Sequence, residues 1–170
     1  MNAIKRLPLV LVVVALTSCA IRPYSLQGQF DKRLERLQKE RDKLTRITDP
    51  IDRTKTNINI SEILLSLASD AIRAGEPELL GKRLTEYVDA IRDAHQTMVK
   101  TGRDAQKKPK GFKELEMALR RQIRTLEDLS RSVSFDQRDP VEKAKQEVSG
   151  IRDDMLRALF GERNAPSRKS

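Results

Sequence analysis

The sequence predicts an all-α protein, an elongated bundle of four to five helices with coiled-coil-like seams. Three observations support this prediction. Apolar residues recur with a helical period from residue 29 to residue 161. Charged residues make up 35% of the chain and aromatic residues only 4%, which is typical of long amphipathic helices. No segment alternates apolar and polar residues through a run of β-branched side chains.

The first predicted helix runs from Gln29 to Thr48. Its apolar residues form one narrow stripe, interrupted by Arg41, and charged residues fill the remaining surface. The stripe consists of Phe30, Leu34, Leu37, Leu44 and Ile47. Such a seam is typical of an interaction surface rather than of a monomer core. We therefore expect this helix to extend away from the bundle or to pair with a second copy, which would give a homo-oligomer.

The second helix is predicted from Pro50 to Ala74 and is the most apolar of the five. Asp49 can cap its start, and Pro50 suits the first helical position. A tight hairpin is the preferred connection to the first helix. A sharply kinked continuous helix is the alternative, since residues before proline avoid the α region. The apolar face widens past half of the circumference, which predicts a central position in the bundle.

Three further segments complete the predicted bundle. The third helix runs from Pro77 to Thr101, and residues 103–111 form the clearest loop in the chain. The fourth helix runs from Phe112 to Val133. The fifth begins at Asp139-Pro140, with Glu142 at the capping-box position, and ends at Phe160.

The first residues have the pattern of an export signal. Lys5 and Arg6 precede the apolar run of residues 7–16, which would rise only about 15 Å as a helix, half of the hydrocarbon thickness of a bilayer. This run is therefore too short for a permanent membrane span and fits a signal peptide. Directly after it, Leu16-Thr17-Ser18-Cys19 resembles the lipobox of bacterial lipoproteins.

The resemblance implies cleavage before Cys19, a diacylglycerol group on its sulfur and an acyl chain on the new amine. Ala20, rather than Asp, follows the cysteine, which in this family implies the outer membrane, facing the periplasm, in a host with two membranes. The predicted organisation is a signal peptide at 1–18, a tether at 19–28, a helical bundle at 29–161 and a disordered basic tail at 162–170.

Serine and aspartate residues are plentiful, but they form no pattern that is typical of a catalytic site. One cysteine excludes a disulfide within the chain and any Cys-x-x-Cys site. His95 is the only histidine and has no Glu-x-x-His pattern, so we expect a structural residue and no metal site. Asp153 and Asp154 point about 100° apart on a helix, which favours a solvated face. We therefore expect a non-enzymatic protein without a cofactor other than the acyl chains on Cys19.

Positive charge is the most informative feature of the remaining chain. The formal net charge is +9 for the full sequence and +7 without residues 1–18, which include Lys5 and Arg6. The candidate contacts are the basic residues of the long loop and of the fourth helix: Arg103, Lys107, Lys108, Lys110, Lys113, Arg120, Arg121 and Arg124. Two interpretations fit them, a solvated loop with exposed helix faces and a surface that attracts an anionic envelope component or an acidic protein. Nucleic acid is not expected, since export removes the protein from it and interleaved aromatic residues are missing.

These features predict a lipid-anchored, non-enzymatic helical protein of the cell envelope that acts as an adaptor, a spacer or a structural interaction module. One alternative is a ligand-binding module with a pocket between the second and third helices, near Tyr87, His95 and Met98. A peptidoglycan-associated lipoprotein is a weaker alternative. The small helical lipoprotein of enteric outer membranes ends in a cross-linking lysine, whereas this chain ends in Arg168-Lys169-Ser170.

Overall fold

The computed structural model describes residues 24–161, with side chains from residue 28 onwards. Within these residues it contains five α-helices, one 3-10 turn and no strand, which confirms the predicted all-α class. The elements are α1 (Tyr24–Leu44), α2 (Pro50–Ala74), α3 (Pro77–Lys100), α4 (Phe112–Ser132), the 3-10 turn Phe135–Gln137 and α5 (Arg138–Phe160). The predicted signal peptide at 1–18, Cys19 and the predicted tail at 162–170 lie outside the described residues.

Helices α2–α5 form two hairpins, and α1 packs against α2 at their side. The α2–α3 and α4–α5 hairpins pack side by side, so that α2 contacts α4 and α3 contacts α5. Helix α2 touches α1, α3 and α4, which confirms its predicted central position. Arg121 of α4 pairs with Glu62 of α2 at 3.3 Å, and Lys55 of α2 lies 3.8 Å from Glu114 of α4. The order of these contacts makes α2 and α4 parallel.

The bundle has two distinct ends. We call the first the loop end; it consists of residues 45–49, residues 101–111 and the C-terminus of α5 at Gly161. The second is the turn end, which consists of residues 75–76, residues 133–137 and the start of α1. The 25 residues of α2 connect the two ends, which are therefore about 37 Å apart.

Helix α1 differs from its prediction in both bounds. It begins at Tyr24 rather than Gln29, so the second half of the predicted tether at 19–28 is helical. The apolar stripe starts only at Phe30, and the earlier turns therefore gave no periodic signal. The helix ends at Leu44, and residues 45–49 connect it to α2, whose first N–H groups are capped by Asp49 as predicted. The connection is a hairpin and not a kinked helix.

The predicted departure of α1 from the bundle is also wrong. Leu37 is only 3% exposed, and the partly buried leucines of the stripe pack on the same core. Arg33 pairs with Asp70 near the end of α2. Arg41, which interrupts the stripe in sequence, reaches past it and pairs with Glu86 of α3 at 3.4 Å. The chain's own α2 and α3 thus cover the seam, while homo-oligomerisation stays a prediction.

The start of α5 corrects a second prediction. Asp139 does not cap this helix, and Glu142 does not close a capping box, because the 3-10 turn runs directly into helical backbone at Arg138. A capping residue needs a non-helical backbone to turn its side chain back onto the first N–H groups. Glu142 instead accepts a hydrogen bond from the Ser130 hydroxyl at 2.6 Å and pairs with Lys145 at 2.7 Å.

The last residue of the long loop passes very close to the core. Gly111 has φ +87°, a conformation that side chains disfavour. A Cβ atom at this position would lie 2.6 Å from Cε of Met98, which is fully buried. The glycine therefore lets the chain enter α4 directly over α3.

Candidate functional site

The long loop displays most of the predicted basic contacts at the loop end. Its exposed cations, with the one in the first turn of α4, are Arg103, Lys107, Lys108, Lys110 and Lys113. Asp104 is the one carboxylate among them. The backbone N–H groups of Gln106 and Lys107 donate to it at 2.9 and 3.3 Å, and together with the nearby Lys107 ammonium they hold its pKa below the usual range. No other carboxylate of residues 28–161 lies within salt-bridge distance of these five cations.

Two exposed apolar side chains accompany the cations. Val99 is 57% exposed and Phe160 is 58% exposed. They belong to the last turns of α3 and α5. These helices run parallel, since Arg92 bonds Glu147 at 3.1 Å and, further along both helices, His95 lies 3.9 Å from Asp154. A Cβ atom at Gly161 would lie 3.4 Å from the side-chain amide of Gln106, so α5 ends against the basic loop. The loop end therefore combines positive charge with exposed apolar surface.

The arginines of α4 behave differently from the loop cations. Arg120 binds Glu116 at 2.9 Å, and Arg152 of α5 binds the same carboxylate at 3.0 Å. Arg121 pairs with Glu62, as described above. The predicted contacts thus separate into a loop group, in which only Lys107 has a carboxylate partner among the described residues, and a paired group on α4. Arg124 is exposed on α4, one turn after Arg120.

Sequence reasoning missed Glu116. The i,i+4 spacing between Glu116 and Arg120 is a signal for one ion pair on a helix. The contact with Arg152 has no sequence signal, because it depends on how α4 and α5 align. Only 4% of the Glu116 side chain is exposed, so this carboxylate joins the two helices inside their interface.

His95 is partly buried between α3 and α5. Burial lowers its pKa, and the carboxylate of Asp154, 3.9 Å from Nε2, opposes this effect. Asp154 also pairs with Arg157, so the predicted solvated face at Asp153 and Asp154 is in part an intramolecular contact. In the described part of the chain, no three His, Cys, Asp or Glu side chains are placed to hold a metal ion.

The predicted ligand pocket coincides with packed core. Tyr87 and Met98 are fully buried. The Tyr87 hydroxyl donates to Oε1 of Gln122 at 3.2 Å, and the Gln122 amide donates to Ser61 Oγ at 2.7 Å. Burial raises the pKa of Tyr87. This chain of hydrogen bonds connects α3, α4 and α2 where a ligand was expected.

The concave regions of the described surface lie elsewhere. A groove of about 490 Å³ follows the α3–α5 contact and is lined in part by Arg92 and Glu147. A second groove, of about 510 Å³, follows the α2–α4 contact. Neither includes Tyr87, His95 or Met98. Both are open furrows between neighbouring helices.

No helix among the described residues is long and apolar enough to cross a membrane. Comparison of the chain with protein-family models, with curated proteins and with solved structures finds no match in any of the three. The two ends of the bundle differ in their distribution of charge and apolar surface.

Proposed function

We propose that this protein is a lipid-anchored, non-enzymatic helical adaptor of a bacterial cell envelope. Cys19, at the end of the lipobox-like segment, carries the acyl chains. Four residues lie between it and Tyr24, and the five steps along the chain span at most about 18 Å. Because α1 starts at the turn end, the anchor belongs to that end of the bundle.

The separation between the anchor and the basic loop carries this proposal. The cations of the loop end lie about 37 Å from the turn end, one length of α2. Screening limits electrostatic attraction to about 8 Å at physiological ionic strength. An upright bundle therefore keeps its basic loop out of the field of the anchoring membrane. The loop is free to meet an anionic envelope component or an acidic protein beyond that membrane.

This geometry favours an adaptor or spacer over the other candidate functions. In a host with two membranes, the lipobox-like segment supports an outer-membrane anchor with the bundle in the periplasm. The ligand-binding alternative loses support because Tyr87 and Met98 belong to the packed core. The peptidoglycan alternative gains no supporting contact.

Replacement of Cys19 tests the anchor. In Cys19→Ala we expect the protein to leave the membrane fraction or to remain unprocessed, since the sulfur that carries the diacylglycerol is missing. Labelling with radioactive palmitate measures the modification directly. Palmitate incorporation that persists in the variant would contradict the lipid anchor on Cys19.

Site-specific photo-cross-linking in native envelopes tests the basic loop. A photoreactive residue in place of Lys108 should form adducts that decrease at high salt, and Lys107→Gln with Lys110→Gln should reduce them. The matched control is the exposed Lys82 of α3, near the opposite end. The mass of the adduct distinguishes a protein partner from an anionic polymer. Equal adduct yields at the two positions would contradict a partner at the loop end.

A further inference from the structure

The turn end exposes one large aromatic side chain. Phe135 is 87% exposed, more than any other large apolar residue of the described chain. It begins the 3-10 turn between α4 and α5, directly after Ser134 and the buried Val133. The Gln137 N–H donates to the Ser134 carbonyl at 3.1 Å, and the Ser134 hydroxyl donates to Asp136, which lowers the pKa of that carboxyl. Local hydrogen bonds thus hold the turn that presents the ring.

This ring lies at the end to which the acyl chains belong. The pair between Arg33 and Asp70 aligns α1 with α2. At the other end of the two helices, the Arg53 guanidinium donates to the Leu44 carbonyl at 3.5 Å. From that contact, α1 continues about 30 Å to Tyr24 and α2 continues about 32 Å to Ala74, so α1 starts close to the level at which α2 ends. The segment between Cys19 and Tyr24 can span up to about 18 Å, so it has enough slack for the turn to reach the same surface.

We propose that the turn end rests on the lipid surface, with Phe135 inserted at the boundary between headgroups and acyl chains. This inference rests on the proposed function, because the anchor on Cys19 brings the turn to the membrane. Aromatic and apolar side chains stabilise such shallow insertion. The ring is a second point of attachment, and two points fix an orientation that a tether alone leaves free.

The charges around the turn select the kind of lipid. The exposed carboxylates where α2–α5 meet the turn end are Glu76, Glu78, Asp128, Asp136 and Asp139. The exposed cations of the same turns are Arg73, Arg131, Arg138 and Lys143. The two sets nearly balance, so this end has no excess of positive charge that would attract anionic headgroups. The inferred partner is accordingly a zwitterionic lipid surface.

The absence of tryptophan from the chain permits a direct test. Phe135→Trp introduces the sole tryptophan at the turn end, and Phe160→Trp is the matched control at the loop end. Each lipidated protein is reconstituted on phosphatidylcholine vesicles with and without brominated acyl chains. We expect the emission of Phe135→Trp to shift to shorter wavelength and to be quenched by the brominated lipid. Phe160→Trp should show neither effect.

A second set of vesicles, in which half of the lipid is phosphatidylglycerol, tests the inferred preference for zwitterionic lipid. The emission shift of Phe135→Trp should be no larger there than on pure phosphatidylcholine, and a larger shift would overturn the preference for a zwitterionic surface. Flotation of the vesicles distinguishes the two levels of the proposal. Protein that floats while Phe135→Trp emission stays unchanged overturns the insertion and leaves the anchor intact. Protein that does not float overturns both, and quenching of Phe160→Trp equal to that of Phe135→Trp overturns the upright orientation.

Discussion

Two carboxylates, each held between two arginines, join helices in different regions of this molecule. Asp70 connects α2 to α1 through Arg33 and also binds Arg73. Glu116 connects α4 to α5 through Arg152 and also binds Arg120. The Asp70 side chain is 15% exposed and that of Glu116 is 4% exposed. The same arrangement of charges is therefore close to water in one interface and removed from it in the other.

The apolar contacts of the two regions differ in the same direction. Leu37 is the only fully buried apolar residue that α1 contributes from its described side chains. Helices α4 and α5 bury apolar residues along their whole length. Segments with few buried contacts open at a lower free energy than the global transition. We therefore expect α1 to detach from the bundle before the four central helices unfold.

The largest expected effect on stability comes from a cavity in the core of the four central helices, compared with a cavity under α1. Leu126→Ala, at a fully buried position of α4, should lower the free energy of unfolding by about 2–5 kcal/mol. Leu37→Ala on α1 should cost less, since that helix packs on one side only. Urea unfolding followed by circular dichroism measures both. Equal losses would show that α1 is as integral to the core as α4.

The two carboxylates provide the next comparison. Glu116→Gln should cost about 2 kcal/mol, because hydrogen bonds to a charged group are lost in a buried interface. Asp70→Asn should cost roughly 0–1 kcal/mol, as is typical of ion pairs near the surface. Both variants keep the size and shape of the side chain. A larger loss in Asp70→Asn, measured by the same urea titration, would reverse the proposed order of the two interfaces.

A third comparison uses two glutamines. Gln122→Ala removes the amide between Tyr87 and Ser61 and leaves the buried Tyr87 hydroxyl without its acceptor, at a cost of about 1–2 kcal/mol. Gln38 of α1 is exposed and donates to Asp42 at 2.8 Å. Gln38→Ala should leave the thermal midpoint almost unchanged, and a decrease as large as that of Gln122→Ala would contradict the difference in burial.

The smallest effect concerns acid stability of the α3–α5 interface. Burial lowers the pKa of His95 from 6.5, although Asp154 opposes the shift. Below about pH 6.5 the histidine of the unfolded chain takes up a proton that the folded chain binds less readily. The free energy of unfolding therefore decreases as the pH falls from 6.5 towards the lower pKa of His95 in the folded protein. The free energy of unfolding of His95→Gln should decrease less between pH 7 and pH 5 than that of the unsubstituted protein. An identical pH dependence of the urea midpoint in both proteins would exclude this contribution.

Most of the fold could be predicted from the sequence because its signals are local. The apolar period defined five helices, and the carboxylate of Asp49 accepts the N–H groups of Ile51 and Asp52 as expected. The predicted start of α5 was wrong, although its residues have the same Asp-Pro pattern as the start of α2. The preceding 3-10 turn supplies helical backbone there, and that turn has no apolar period.

The candidate site was less predictable because its contacts join distant parts of the chain. The exposure of Lys108 and Lys110 follows from the polar loop in which they occur. The pairing of Arg121 with Glu62 depends on the parallel alignment of α2 and α4, which no spacing within either helix reveals. The predicted position of α1 was wrong for a similar reason. A narrow stripe does not specify whether its partner is another copy or a neighbouring helix.

The close passage of Gly111 over Met98 restricts how this loop can be redesigned. The loop lies between Gly102 and Gly111, both with positive φ. A graft of different length or charge can replace the exposed residues between them, provided that it keeps a small apolar residue where the buried Ala105 packs on the core. The graft has to end on glycine, because the side chain of any larger residue at this position would clash with Met98. The bundle is therefore a scaffold whose distal tip is exchangeable and whose junction is not.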